Sequence, residues 1–385
     1  MINQKNQTLA FFFRRINDLN QFIPLINFFI KKRKNIILIC LDTNFLIKDY
    51  RPLKKYFKSK YVTINYLNSF LEKKKIFDIK IFNFFKKKTF LNKKKLKNFL
   101  EKYNISKAIF DFPITNQNYR ELMKTLTNYN IKIIGIHHGI WVRCENMNTH
   151  KTKNFFKSQL ENSKIYDKIF VFNPEFKKNL EILGCKKKIF FPGSILYAKE
   201  NIKKLNIKKN NIINLLYLDH SSKHGINKKI VIEDLYKLSK LNYIELKIRP
   251  NTSIQYRNNW EDKDIFEKKG LNNKITFDDT SKLIQESDII INPISSSIIE
   301  AFYFKKIIIH PKHYIKNDYL LWQKFKSCYE VNSYDEIIKI INLFNSKKLK
   351  IKKYFFNCKK ILRYLNTSKN LNYKLNYISN KILDE

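Results

Sequence analysis

Glycine is scarce in this chain, six residues in 385, and proline is nearly as rare at eight. Neither GxGxxG nor GxxxxGK(S/T) occurs, so a dinucleotide-binding glycine loop and a P-loop NTPase are both unsupported. Cysteine is limited to Cys40, Cys144, Cys185, Cys328 and Cys358, with no CxxC pair. An odd, scattered set predicts free thiols and neither a disulfide framework nor a zinc site. No apolar run approaches the ~20 residues needed to cross a bilayer. The longest candidates, 22–30 and 36–40, are split by Lys31-Lys32-Arg33-Lys34. The N-terminus is largely polar up to Gln7, and Phe11-Phe12-Phe13 runs into Arg14-Arg15, unlike a signal peptide. A cytoplasmic chain is expected.

Acidic residues are also few, 33 against 76 lysines and arginines, for a formal charge of +43. That balance suits nucleic acid or an anionic membrane surface. The excess is nearly all lysine, accompanied by abundant isoleucine and asparagine, and all three are spelled by A/T-rich codons. Compositional drift accounts for most of it. Arginine is sparse, and no aromatic-and-arginine RNA motif, zinc finger or helix-turn-helix is present, so no specific nucleic-acid partner is expected. Attraction to anionic headgroups on the inner face of a membrane is the functional residue of the charge.

What is present is a foldable chain, 44% hydrophobic and 15% aromatic. Its length suits two domains of roughly 150–200 residues. Short apolar strands alternate with amphipathic helices from Thr8 onward, which predicts parallel sheets covered on both faces. The Asn/Lys-rich stretch 201–212 reads as a linker, after which the strand–helix pattern restarts. The expected organisation is one α/β domain over 1–200, a second over 213–345 and C-terminal helices over 346–385. The fold class is α/β: two Rossmann-like parallel-sheet domains facing across a cleft, with C-terminal helices. Strands are expected at 8–13, 35–41, 61–64, 79–81, 108–110, 131–136, 168–172, 189–191, 215–218, 244–248, 275–277, 289–291 and 307–309.

Polar clusters fall where strands end, the edge at which open α/β sheets bind ligands. The segment SDIIINPISSSIIEAFYFKKIII, 287–309, is a strand, a serine turn, a helix and a second strand. Ser295, Ser296 and Ser297 stand at the predicted helix N-terminus, where free N–H groups and the helix dipole favour phosphate. Glu300 follows about one turn later, within reach of sugar hydroxyls. The loop Asp219-His220-Ser221-Ser222-Lys223-His224-Gly225 and the fork of Arg249 join the same predicted edge. Together they suit the diphosphate and ribose of a nucleotide. The bland alternative is that serines cap a helix and Glu300 is a solvated residue. In the first domain, His137 and His138 close a strand before Gly139, and His138 is a candidate general base toward an acceptor hydroxyl. The structural alternative is a histidine pair bonding the loop backbone. Asp42 and Asp111 end other strands and are alternative bases; Arg143 and His150 are weaker candidates. Phe82 to Leu100 interleaves aromatics with lysine triplets, either a core-facing stripe or a helix lying on an anionic membrane.

The segments IIGIHHG (133–139), VFNPEFKKNLEILG (171–184) into FFPGS (190–194), KIRP (247–250) and 287–309 resemble GT-B glycosyltransferases of bacterial surface-polysaccharide synthesis. These include capsule and lipopolysaccharide transferases and CDP-glycerol glycerophosphotransferase-like proteins. Departures are Lys305-Lys306-Ile307, where a proline is usual, and the lack of a histidine after KIRP. The resemblance implies donor contacts at Ser295, Ser296 and Glu300, with Arg249 and the 220–223 loop near the diphosphate and the acceptor near His138. It implies a metal-independent transferase needing no cofactor, with a nucleotide-sugar donor and a glycan or lipid-linked acceptor. Two alternatives stay open: a nucleotide-sugar 2-epimerase of the same architecture, and a non-catalytic basic protein binding an anionic polymer.

Overall fold

The computed structural model describes residues 7–14, 16–41, 56, 59–67, 71–73, 89–114, 116–137, 150–185, 188–198, 212–220, 225–251, 260, 262–315, 319–367 and 369–384. The chain divides into two units, one of Met1–Ile140, Met147–Leu196 and Asn372–Glu385, the other of Trp141–Asn146 and Tyr197–Leu371.

The first unit begins with β1 (Thr8–Phe13), α1 (Ile16–Lys31), β2 (Ile36–Cys40) and β3 (Val62–Tyr66). An antiparallel pair of β4 (Leu71–Lys73) and β5 (Thr89–Leu91) precedes α2 (Lys93–Lys102). Then come β6 (Ile105–Phe112), α3 (Gln117–Asn128), β7 (Lys132–His137), α4 (His150–Ser163), β8 (Lys168–Phe170), α5 (Pro174–Ile182) and β9 (Ile189–Phe190). Seven strands form one sheet in the order β3-β2-β1-β6-β7-β8-β9, and every pairing is parallel. A parallel sheet covered on both faces demands strands without polar alternation. TLAFFF and IILIC meet that demand with every residue buried. Phe12 of β1 stacks on Phe110 of β6 at 4.3 Å between ring centroids. Burying each such ring fully contributes about 1.5–3 kcal/mol.

The second unit holds β10 (Ile213–Leu218), α6 (Lys228–Ser239), β11 (Ile244–Arg249), α7 (Lys263–Lys268), α8 (Thr280–Glu286) and β12 (Ile289–Ile291). It continues with α9 (Ile298–Tyr303), β13 (Ile307–Pro311), α10 (Leu321–Lys324), β14 (Tyr329–Val331), α11 (Tyr334–Asn345) and α12 (Lys352–Tyr364). Its five-stranded parallel sheet runs β11-β10-β12-β13-β14. Helix α12 is keyed to this sheet by Tyr354, whose hydroxyl donates to Lys306 O at 2.8 Å and accepts from Ile308 N at 3.1 Å. The last helix, α13 (Leu371–Leu383), lies with the first unit. There Lys107 Nζ donates to Leu383 O at 3.0 Å, and Lys168 Nζ to Lys381 O and Asp384 O at 2.6 and 2.9 Å. Two ammonium groups thus satisfy the open carbonyls of a helix C-terminus. They also line, with Lys34 and Lys132, a cavity of about 610 Å³ at the edge where β7 and β8 begin.

Several expectations are revised. Residues 275–277 are not a strand: only Ile275 bridges, to Ile248, because a tight turn at Asn272–Lys274 and the following Asp278-Asp279 leave no room for a ladder. The C-terminal helices are α12 and α13, separated where Asn366 turns to φ +53. Within Phe82 to Leu100 a helix starts at Lys93, and its stripe Leu96, Phe99, Leu100 is buried, as a core-facing stripe should be. The proposed strand 79–81 and linker 201–212 lie outside the described residues, as do Phe82 to Lys88. No helix among the described residues is long and apolar enough to cross a membrane.

Candidate functional site

In the second sheet β10 is flanked by β11 on one side and β12 on the other, so the connections leave it in opposite directions. Such a switch point opens a crevice at the C-terminal strand ends. Register pairs Leu218 with Arg249, and Tyr217 with Ile291, so Asp219, Arg249 and Asn292 all emerge at this edge.

The serine turn is built by Asn292, a buried residue whose Oδ1 accepts from Ser295 N at 2.8 Å and whose Nδ2 donates to Ser295 O at 3.3 Å. Ser295 Oγ then accepts from Ser297 N, and the N–H groups of Ile298, Ile299 and Glu300 bond back to the three serine carbonyls. The sequence had suggested a row of open N–H groups here. Instead most are engaged within the turn, and α9 is only six residues long, so its dipole is weak. What the turn offers is the Ser296 N–H and the half-buried serine hydroxyls. Tyr197 Oη stands 3.5 Å from Ser296 Oγ and adds a further hydroxyl.

Glu300 is not a solvated helix residue. The Ser281 hydroxyl donates to its Oε1, and Gln285 Nε2 donates to Ser281 Oγ at 3.4 Å. Burial raises the pKa of its carboxyl, against the lowering effect of the Ser281 bond, and the charge of Asp279 raises it further. Arg249 donates from Nε to Asp278 O at 3.1 Å and from Nη1 to Pro250 O, with its guanidinium 6.0 Å from the Phe277 ring centre. Burial lowers its pKa, with Asp279 and Asp278 opposing. Asp279, which caps α8 by accepting from Lys282 N, therefore acts on both Arg249 and Glu300. His220 Nδ1 lies 3.0 Å from Asn251 Nδ2, tying the loop after β10 to the end of β11.

Beneath this edge, Lys228 Nζ sits 2.6 Å from Asp219 Oδ1 and 2.7 Å from Asp262 Oδ2, with all three side chains buried. Asp219 Oδ2 has no hydrogen-bond partner, and burial raises the pKa of this carboxyl even against Lys228. The triad anchors the start of the 219–225 loop.

In the first sheet the corresponding switch point lies between β1 and β6. Arg14, just past β1, donates from Nη2 to Asp111 Oδ2 at 2.7 Å, and its backbone N–H bonds Asp18 Oδ2 at 2.9 Å. The Tyr166 hydroxyl donates to Asp111 O at 2.9 Å and accepts from Ile114 N at 3.3 Å. His137 is buried at the end of β7, its ring centre 4.8 Å from Phe176 and 6.2 Å from Phe112. These are the surroundings of a core histidine.

The structure thus gathers Arg249, Ser295, Ser296, Ser297, Glu300 and His220 at one sheet edge. Ser221, Ser222, Lys223, His138, Asp42 and Arg143 lie outside the described residues, and His150 opens α4. Sequence reasoning missed Ser281, Asp279, Tyr197 and the partnering of Asp111 by Arg14. Asp279 carried a signal, since an aspartate before a helix start is a common N-cap; the rest depended on tertiary pairing. Among the described residues, no three His, Cys, Asp or Glu side chains cluster as metal ligands.

No family model matches the chain, and no curated protein matches it in sequence. Solved structures do match it in fold along nearly its whole length. A candidate UDP-N-acetylglucosamine 2-epimerase from Listeria monocytogenes is 10% identical with a TM-score of 0.59, covering 98% of this chain and 96% of that one. The UDP-GlcNAc 2-epimerase of Neisseria meningitidis, bound to UDP-GlcNAc, is 13% identical with a TM-score of 0.52, covering 94% and 100%. The glycotransferase of kitacinnamycin is 8% identical with a TM-score of 0.58, covering 98% and 100%. At such identities the likeness is one of fold: the chain has the GT-B-like fold, built from two Rossmann-like parallel-sheet units.

Proposed function

We propose that the chain is a nucleotide-sugar-dependent transferase that moves a sugar, or a polyol phosphate, onto a surface-glycan or lipid-linked acceptor of the capsule or lipopolysaccharide kind. It works in the cytoplasm, against the inner face of the membrane. The observation that carries the donor half is the Ser281–Glu300 pair at the β10/β12 switch point, with Arg249 on the adjoining strand end. A carboxylate held in one rotamer suits the vicinal hydroxyls of a ribose. Arg249, the Ser296 N–H and the hydroxyls of Ser295, Ser296 and Ser297 hold the diphosphate, with Ser221, Ser222 and Lys223 of the preceding loop beside it. Their charge and dipoles stabilise the departing nucleotide, without a cofactor. In the first unit His138 takes the acceptor proton, and His137 packs the strand end that presents it.

A thermal-shift screen against UDP-, GDP-, CMP- and CDP-linked donors tests the donor site, because a nucleotide bound only to the folded state raises the melting temperature by mass action. One donor class raises Tm for the wild type, and Glu300→Ala and Arg249→Ala respond weakly or not at all. No response from any donor, or an equal response from the variants, rejects the assignment.

One observation favours a 2-epimerase reading. A sugar epimerisation needs carboxylates near the sugar ring, and Asp111, oriented by Arg14, provides one at the first unit's switch point. Structures of similar fold are UDP-GlcNAc 2-epimerases. Incubation with UDP-GlcNAc and no acceptor separates the two: the epimerase reading yields the C2 epimer, the transferase reading leaves the sugar unchanged.

A further inference from the structure

The longest stretch without an acidic residue runs from Ile337 to Leu383 and carries eleven lysines and one arginine. Codon drift enriches lysine everywhere but gives no reason for aspartate and glutamate to vanish from one place. Within this stretch the five cations of α12 all fall on one face of that helix. Tyr354, Asn357, Cys358, Ile361 and Leu362 face the core. Positions 352, 353, 356, 359, 360 and 363 share the opposite face at helical spacing, and all six are exposed. Five are Lys352, Lys353, Lys359, Lys360 and Arg363. The sixth, in their midst, is Phe356, 56% exposed, with Lys360 Nζ 4.6 Å from its ring centre. Ile351, just before the helix, is 41% exposed, and Lys347, Lys348 and Lys350 extend the charge into the preceding loop.

Several other surface lysines of the same unit are neutralised. Lys263 pairs with Glu267, Lys269 with Glu233, and Lys282 with Asp278 and Glu286. Among the described residues, none of the five cations on the α12 face makes an ion pair. A single-sign helix face with an exposed aromatic at its centre has the two attractions that bind an interfacial helix: charge toward anionic headgroups and an apolar side chain to insert beneath them.

We infer that the outer face of α12 is a docking surface for an anionic lipid bilayer. The partner is a bilayer rather than a nucleic acid because the cations are lysines with a single arginine, and the central group is a protruding phenylalanine flanked by an exposed isoleucine. This sharpens the membrane part of the proposed function and rests on that reading for its purpose, but its test uses no nucleotide, so either can fail alone.

The test is co-sedimentation of the full chain with vesicles of phosphatidylcholine alone or mixed with phosphatidylglycerol. One variant carries Lys352→Glu, Lys353→Glu, Lys359→Glu and Lys360→Glu. A charge-matched control carries Lys229→Glu, Lys237→Glu, Lys240→Glu and Lys268→Glu, exposed positions on α6, at its C-cap and on α7. A third variant, Phe356→Ser, leaves the charge unchanged. Each lysine near an anionic surface is worth roughly fivefold in partitioning. The α12 variant therefore loses binding to mixed vesicles by on the order of a hundredfold or more, the control keeps most of it, and Phe356→Ser loses several-fold. Equal losses in the two charge variants, or no loss in Phe356→Ser, overturn the proposal. So does tighter binding of a DNA duplex than of mixed vesicles through the same four lysines.

Discussion

The hydroxyl of Ser281 donates to the carboxylate of Glu300, nineteen residues further along the chain and on a different helix. Burial raises the folded-state pKa of Glu300, so the folded state holds its proton more tightly than the unfolded chain, whose value is about 4.3. The stability this confers is complete below about pH 4.3 and is lost as pH rises through the folded pKa. At neutral pH the ionised group is a net burden. Glu300→Gln, which keeps an acceptor for Ser281, is expected to raise Tm at pH 7.5 while abolishing any donor-induced shift. Lower stability of Glu300→Gln at that pH would show that the carboxylate has a cationic partner in the free protein.

His310 predicts the opposite slope. It is fully buried beside Asn292 O, and burial pulls its pKa down to about 4. Between about pH 6.5 and 4 the unfolded chain binds a proton that the folded state refuses, so stability falls with falling pH, by up to about 3 kcal/mol. Urea unfolding at pH 7 and pH 4.5 measures the loss. His310→Asn should flatten the difference, and an unchanged pH profile in that variant would mean His310 accepts the proton while folded.

Lys228 is expected to be the least replaceable charge in the second unit. Lys228→Met leaves Asp219 and Asp262 buried without a cation and should cost about 3–5 kcal/mol. Lys228→Met combined with Asp219→Asn and Asp262→Asn should recover much of that. A loss below about 1 kcal/mol in the single variant would mean that water reaches the triad.

Gly135 in β7 marks a close approach. A Cβ there would lie 2.9 Å from the Tyr166 ring and 3.1 Å from Phe112 Cβ. Gly135→Ala should cost about 1–3 kcal/mol by overpacking and disturb the Tyr166 hydroxyl that fixes Asp111 O and Ile114 N. Adding Tyr166→Leu, which makes room, should restore part of the stability. If Gly135→Ala alone is neutral in urea unfolding, the strand is looser than this packing implies.

Isoleucine-rich runs bounded by polar residues made most strands legible, because a strand buried on both faces admits little else. Tyr329–Val331 escaped, being three residues with one glutamate, and α4 escaped because His150–Ser163 is polar nearly throughout. Strand-end position was also legible, and it located Arg249, Glu300 and the serines. Strand order was not, since nothing local says that β12 joins β10 on the side away from β11. Nor was the direction of side chains: His137 read as one of a pair of strand-end histidines before Gly139, yet the rings of Phe112 and Phe176 pack against it.

The chain leaves the first unit after Leu196 and comes back at Asn372. Lys107 and Lys168 receive a helix end that ribosomal synthesis delivers only after the whole second unit has been made. The first unit therefore finishes its own structure only after the second has been made, and a fragment stopping at Leu196 is missing a piece of itself.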